Sequence, residues 1–134
     1  MLCVLVVLGC GEPGRVRVSD QELYGTWSTD IEQIDRGPVV RNVGTEQITL
    51  HPDKTYIQVF SSPQKQYVHT GQWRSSQEFL DGTKVELLNF DHSEDQAPGA
   101  SWQYGPLELF VHREEGKIKL ARSEPLEWYY ERTN

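Results

Sequence analysis

Four histidines are the most versatile side chains in this sequence, and their spacing gives them little to do together. His51, His69, His92 and His112 never fall at the i, i+2 or i, i+4 separation that sets two imidazoles on one side of a strand or helix, so no metal site is expected. Asp91-His92-Ser93-Glu94-Asp95 gathers oxygens but lacks the alternating ligands and central glycine of a calcium loop, and reads as a solvated turn. Gly-x-Ser-x-Gly is absent, so no serine is marked as a nucleophile. Glu114-Glu115 precedes Gly116 in a turn signal, where paired carboxylates sit in water and stay untuned. Neither the phosphate-loop nor the dinucleotide glycine pattern occurs. Catalysis and a cofactor are therefore not expected.

Aromatic residues carry the remaining signal. Trp73, Trp102, Tyr104, Trp128 and Tyr130 are the candidate ligand-binding residues, with Tyr129, Phe60 and Phe110 close in pattern, because mouths that bind small apolar molecules are lined with rings. Core filling is the stronger reading of the same rings. An eight-stranded barrel is only just wide enough inside for side chains to pack it.

The two cysteines, Cys3 and Cys10, both lie at the N-terminus, so no disulfide or thiolate zinc site is expected in the body. Leu2 to Leu8 is an apolar run at the short end of a signal-peptide core. Val7-Leu8-Gly9-Cys10 resembles the bacterial lipobox, in which the cysteine becomes the lipidated N-terminus. A short buried strand is the competing reading of the same run. The segment Gly11 to Asp20, "GEPGRVRVSD", favours the lipobox, since a Gly/Pro/charged stretch tethers a body to an anchor. The expected division is signal peptide 1–9, lipidated Cys10 with tether 10–20, and a domain over 21–134. Gly11 stands where inner-membrane retention typically uses Asp, so the lipobox resemblance implies the outer membrane, facing the periplasm, if the source has one.

The 134 residues suit one domain, and the net charge of −7 comes with scattered basic residues that offer no track for a phosphate backbone. Nucleic acid is not an expected partner. No run of about 18 or more apolar residues follows the N-terminus, so the body is expected to be soluble.

Ser19-Asp20-Gln21-Glu22 fits the capping box and predicts a short helical turn. From there the hydrophobic period switches to two. Strands are predicted at Tyr24–Thr29, Glu46–His51, Thr55–Ser61, Gln66–Ser75, Thr83–Phe90, Leu107–His112, Lys117–Ser123 and Glu127–Thr133, with an extra one at Val39–Val43. Pro52-Asp53-Lys54 and Glu114-Glu115-Gly116 mark tight hairpin turns. The fold expected is all-β, an eight-stranded antiparallel up-and-down barrel, because closure is the economical way to hide strand edges. The stretch Asp91 to Ser101, with Pro98 and Gly99, is the longest loop and a candidate lid.

Leu23-Tyr24-Gly25-Thr26-Trp27 resembles the Gly-x-Trp signature of lipocalins, and Ile48 to Tyr56 with Gly71-Gln72-Trp73 is similar to later landmarks of small bacterial lipocalin-like domains. The likeness runs from Leu23 to the C-terminus. It implies that Gly25 and Trp27 are structural, with Trp27 plugging one end of the barrel and Arg132 or Arg122 lying across it.

The leading expectation is a lipid-anchored module of the bacterial cell envelope that carries a small apolar ligand in its open end. The alternative is a protein-interaction module, such as an inhibitor, immunity or assembly accessory lipoprotein, with a filled barrel. A small barrel enzyme would require titratable residues converging inside.

Overall fold

The computed structural model describes residues 14–36, 39–93, 103–122 and 128–133, with the backbone alone for 33–36 and 39–42. The lipobox with Cys10, Trp102 and the candidate lid at 94–101 lie outside the described residues.

A 3-10 turn over Asp20–Leu23 leads into eight strands: β1 Gly25–Arg36, β2 Val39–Leu50, β3 Thr55–Ser61, β4 Gln66–Glu78, β5 Gly82–Asp91, β6 Tyr104–Glu114, β7 Lys117–Ala121 and β8 Tyr129–Arg132. Each pairs antiparallel with the next, and β8 returns to β1 to close the barrel. The up-and-down order puts the 3-10 turn and the β2–β3, β4–β5 and β6–β7 turns at one end, here the plugged end. The other four connections form the mouth end.

The predicted strand at Val39–Val43 is the first part of β2, which pairs with a β1 that runs on to Arg36. Polar residues Asp30, Glu32 and Gln33 hide this extension in the sequence, and register shifts at Ile31/Glu32 and Ile34/Arg36 break its period. β8 is shorter than predicted and, among the described residues, pairs with β1 at Trp27↔Arg132 and Ser28↔Glu131. In β5, Val85 and Leu87 face inward, and a register shift between Leu87 and Phe90, with Asn89 at φ 57°, returns Phe90 to the interior. The bulge resets an alternation that would otherwise point Phe90 outward.

The core is the inward face of every strand, including Trp27, Ile48, Tyr56, Leu87, Leu109 and Tyr130. At the plugged end Leu23 and Trp27 are wholly buried, and the Trp27 indole donates to Leu23 O at 3.0 Å. Arg132 crosses the ring with its guanidinium carbon 4.2 Å from the centre and donates to Tyr24 O at 2.7 Å and to Glu22 O. The Glu22 carboxylate accepts the Ser19 N–H at 3.0 Å, the reciprocal arm of the capping box.

Residues 14–18, expected as part of the tether, lie against the barrel as a strap. Val16 N–H donates to Val111 O at 3.1 Å and Thr83 N–H to Val16 O at 2.9 Å, so the strap inserts between the splayed ends of β5 and β6. Val16 and Val18 alternate with Arg15 and Arg17, a two-residue period inside a stretch whose composition suggests a linker. Gly82, at φ +119°, makes the approach possible, because a Cβ there would meet Val16 O at 2.6 Å.

Candidate functional site

Two polar side chains occupy inward positions on strands that are otherwise apolar inside. Glu46 precedes Ile48 and Leu50 on β2, and Gln58 lies between Tyr56 and Phe60 on β3, all of them buried. Period two points both into the barrel. Gln58 Nε2 donates to Glu46 Oε2 at 2.9 Å and to Asp91 O at 2.8 Å, while its Oε1 accepts the Asp91 N–H at 3.1 Å. The amide thus stands in for a peptide unit, linking β3 to the end of β5 beneath β4. Tyr130, from β8, donates its hydroxyl to Glu46 Oε1 at 2.5 Å. The buried Glu46 carboxyl group on β2 thus accepts from Gln58 of β3 and Tyr130 of β8.

The wall nearby is opened by strand splay. β4 and β5 pair only from Trp73↔Leu87 toward the plugged end, so above that point side chains replace the ladder. Tyr56 passes beneath Gly71, where a Cβ would meet its ring at 2.7 Å, and donates its hydroxyl to Leu88 O at 2.8 Å. His69 Nε2 donates to Asn89 O at 2.7 Å. Burial raises the pKa of the Tyr56 phenol well above its ordinary value, and the charges of Asp91 and Glu46 add to the effect. Tyr56 therefore stays a neutral donor across the physiological range.

From this seam a chain of rings leads to the rim. Tyr104 stacks on His69 with centres 5.2 Å apart, His69 lies 6.3 Å from Tyr56, and Tyr56 lies 6.3 Å from Phe90. Asp91 Oδ1 accepts Ser93 N–H at 3.0 Å and Gln103 Nε2 at 3.2 Å, and His92 N–H donates to Gln103 O at 2.8 Å. These bonds fix both feet of the β5–β6 connection.

The four described residues expected to bind ligand occupy four different places. Trp73 is buried toward the plugged end, its indole donating to His51 O at 3.0 Å and its ring covered by Tyr24 and Lys54. Tyr130 is buried at mid-barrel, with its hydroxyl committed to Glu46. Trp128 is half-buried beside Arg122, whose guanidinium carbon is 4.1 Å from its ring centre, and lines an outer groove along the β1–β8 closure with Ser28, Asp30 and Glu131. Tyr104, 48% exposed, is on the mouth rim. Ring type alone does not reveal which end of a strand a residue occupies, and this dispersal follows from strand direction. Glu46 and Gln58 were missed, although a polar residue on the inward phase of a strand is the signal that marks them.

Among the described residues no group of three or more His, Cys, Asp or Glu is placed to hold a metal ion, and no described helix is long and apolar enough to cross a membrane. Comparisons with protein-family models, curated proteins and solved structures give no match.

Proposed function

We propose that this protein is a lipid-anchored module of the bacterial cell envelope, of lipocalin-like build, that acts by non-catalytic binding through its outer surface and rims. The observation that carries the reading is the filled interior. Trp27, Tyr56, Phe60, Phe90 and Tyr130 are buried along the barrel, and Glu46 between them bonds to Gln58 and Tyr130. A packed interior of this kind serves as a rigid support for surface loops. The anchor rests on Val7 to Cys10; more than one acyl chain on Cys10 would hold the protein stably at a membrane.

A second reading, a small apolar ligand at the mouth, is favoured by Tyr104 stacked on His69 at the rim. One experiment separates the two. The full chain, expressed in a bacterial host behind a competent signal, is fractionated and its N-terminus weighed, and the purified protein is titrated with an environment-sensitive hydrophobic dye. Lipid on Cys10, membrane fractionation and no saturable dye binding are expected. A free Cys10 thiol with Met1 retained would overturn the anchor, and saturable dye binding lost in Tyr104→Ala would replace surface binding with the mouth ligand.

A further inference from the structure

The β4–β5 turn is an exposed apolar projection. Phe79 at its tip is 82% exposed and Leu80 beside it is 52% exposed, in a barrel whose other large apolar side chains are mostly covered. Leu80 sits at φ 72°, a conformation uncommon for a bulky residue outside a constrained turn.

The base of this tip is rigid. Glu78 pairs with Arg15 at 3.2 Å and with Lys84 at 3.5 Å, and its carbonyl accepts Arg17 Nη2 at 3.0 Å. Arg15 is itself buried, its side chain 1% exposed and lying over Phe110 with 5.0 Å to the ring centre. Asp81 N–H donates to Glu78 O at 3.2 Å to close the turn. The two apolar side chains are therefore presented without loss of further backbone freedom on binding.

The same contacts tie the tip to the strap, and the strap leads to the proposed anchor. Gly14 O accepts the Arg113 N–H at 2.8 Å at the plugged end, and only Gly11, Glu12 and Pro13 separate it from Cys10. A fully extended chain over that interval spans about 14 Å. If Cys10 is lipidated, the plugged end faces the bilayer at close range. Arg15, Arg17 and Lys84 offset Glu78 and Asp81, so the chain's overall acidity does not repel this corner from a lipid surface.

We infer that Phe79 and Leu80 form a membrane-contacting tip that enters the headgroup and acyl boundary of the bilayer and, together with the lipid on Cys10, sets the barrel's orientation. The inference rests on the anchor reading for its geometry of approach, whereas the tip's own affinity for lipid is separable from it. Apolar burial supplies the attraction, so it is nearly independent of salt.

The test uses the full chain carrying Cys10→Ser, which no lipid can modify, and the same chain with Phe79→Ser and Leu80→Asn added. Asn tolerates the left-handed backbone at position 80. Both share the N-terminal apolar run, so their difference isolates the tip. In cosedimentation with phosphatidylcholine vesicles, the added substitutions should weaken binding about tenfold or more, at low and high salt alike. In parallel, Phe79→Trp on the Cys10→Ser chain should add an emission component that moves to shorter wavelength with vesicles and is quenched by brominated acyl chains. This arm reads the tip even if the double variant folds poorly. Equal vesicle binding by the two chains, or emission from the introduced indole that lipid leaves unchanged, would overturn the inference and leave the tip to a protein partner. An unlipidated Cys10 in cells combined with a positive tip result would remove the anchor and keep the tip; the reverse would remove the tip alone.

Discussion

Glu46 and Tyr130 meet inside the barrel, two strands apart across β1, although 84 positions separate them in sequence. Replacing the hydroxyl leaves a buried carboxylate short of a donor, which costs about 1.5 to 3 kcal/mol for a bond to a charged group. Tyr130→Phe is therefore expected to lower unfolding stability by that amount in urea, with the strand content unchanged; an unaltered midpoint would show that the bond contributes little. Trp27 is a packing case. Its ring fills the plugged end under Arg132, and Trp27→Ala should cost about 3 to 5 kcal/mol through the cavity it leaves. At this scale the sequence was partly readable. Trp27 stands in a short motif after a capped turn, whereas Glu46 and Gln58 are polar residues whose inward direction emerges only once the strand phase is fixed by Ile48, Leu50, Tyr56 and Phe60.

The 3-10 turn, the β2–β3 turn and the strap are the elements that hold the plugged end together. Asp20, in the 3-10 turn, accepts Lys54 Nζ from the β2–β3 turn and Ser75 Oγ from β4. The Lys54 and Ser75 hydrogen bonds hold its pKa below the ordinary carboxylate value. A depressed folded-state pKa contributes stability that is complete above the unfolded value, about 3.9, and fades as pH falls through the lower folded value. Asp20→Asn should thus be less stable than wild type at neutral pH, with the gap narrowing in acid; thermal unfolding followed from neutral pH downward measures it, and a gap that holds constant would remove Asp20 from the linkage. Gly82→Ala tests the strap. Its Cβ would face Val16 O at 2.6 Å at a positive φ, and a loss of about 1 to 3 kcal/mol is expected, together with faster amide exchange at Val16 and Val18. The hairpin turns could be read from Pro52-Asp53-Lys54 and Glu114-Glu115-Gly116. The strap could not, because its Gly, Pro and Arg content outweighs the Val16/Val18 alternation, and its position depends on a splay between β5 and β6 that has no local signature.

The whole molecule is a cycle of antiparallel neighbours, and a cycle opens at its weakest joint. Among the described residues, adjacent strands elsewhere share between three and eleven residue pairs, while β1 and β8 share two. Further bonds strengthen the closure: the Arg132 guanidinium donates to Tyr24 O at 2.7 Å, and just past β8 the Thr133 backbone N–H donates to Thr26 O at 2.9 Å. Tyr130 links β8 to β2 through Glu46. The barrel class was legible because strands alternate and turns are short, but the unequal joints were not, since they depend on where β8 ends and how far β1 extends past it. Local opening follows the regions with few backbone bonds, so β8 should detach from β1 before the β1–β2 or β5–β6 pairs separate. In native-state hydrogen exchange the amides of Glu131 and Thr133, which face β1, should exchange through a sub-global opening well below the global unfolding free energy, while Val85, Leu87 and Leu109 exchange only by global unfolding. Tyr130→Phe should widen that difference, because it removes the hydrogen bond that ties β8 to Glu46 in the barrel interior. Equal protection for β8 and the β5–β6 pair would mean that side-chain links make the closure as strong as the longer ladders.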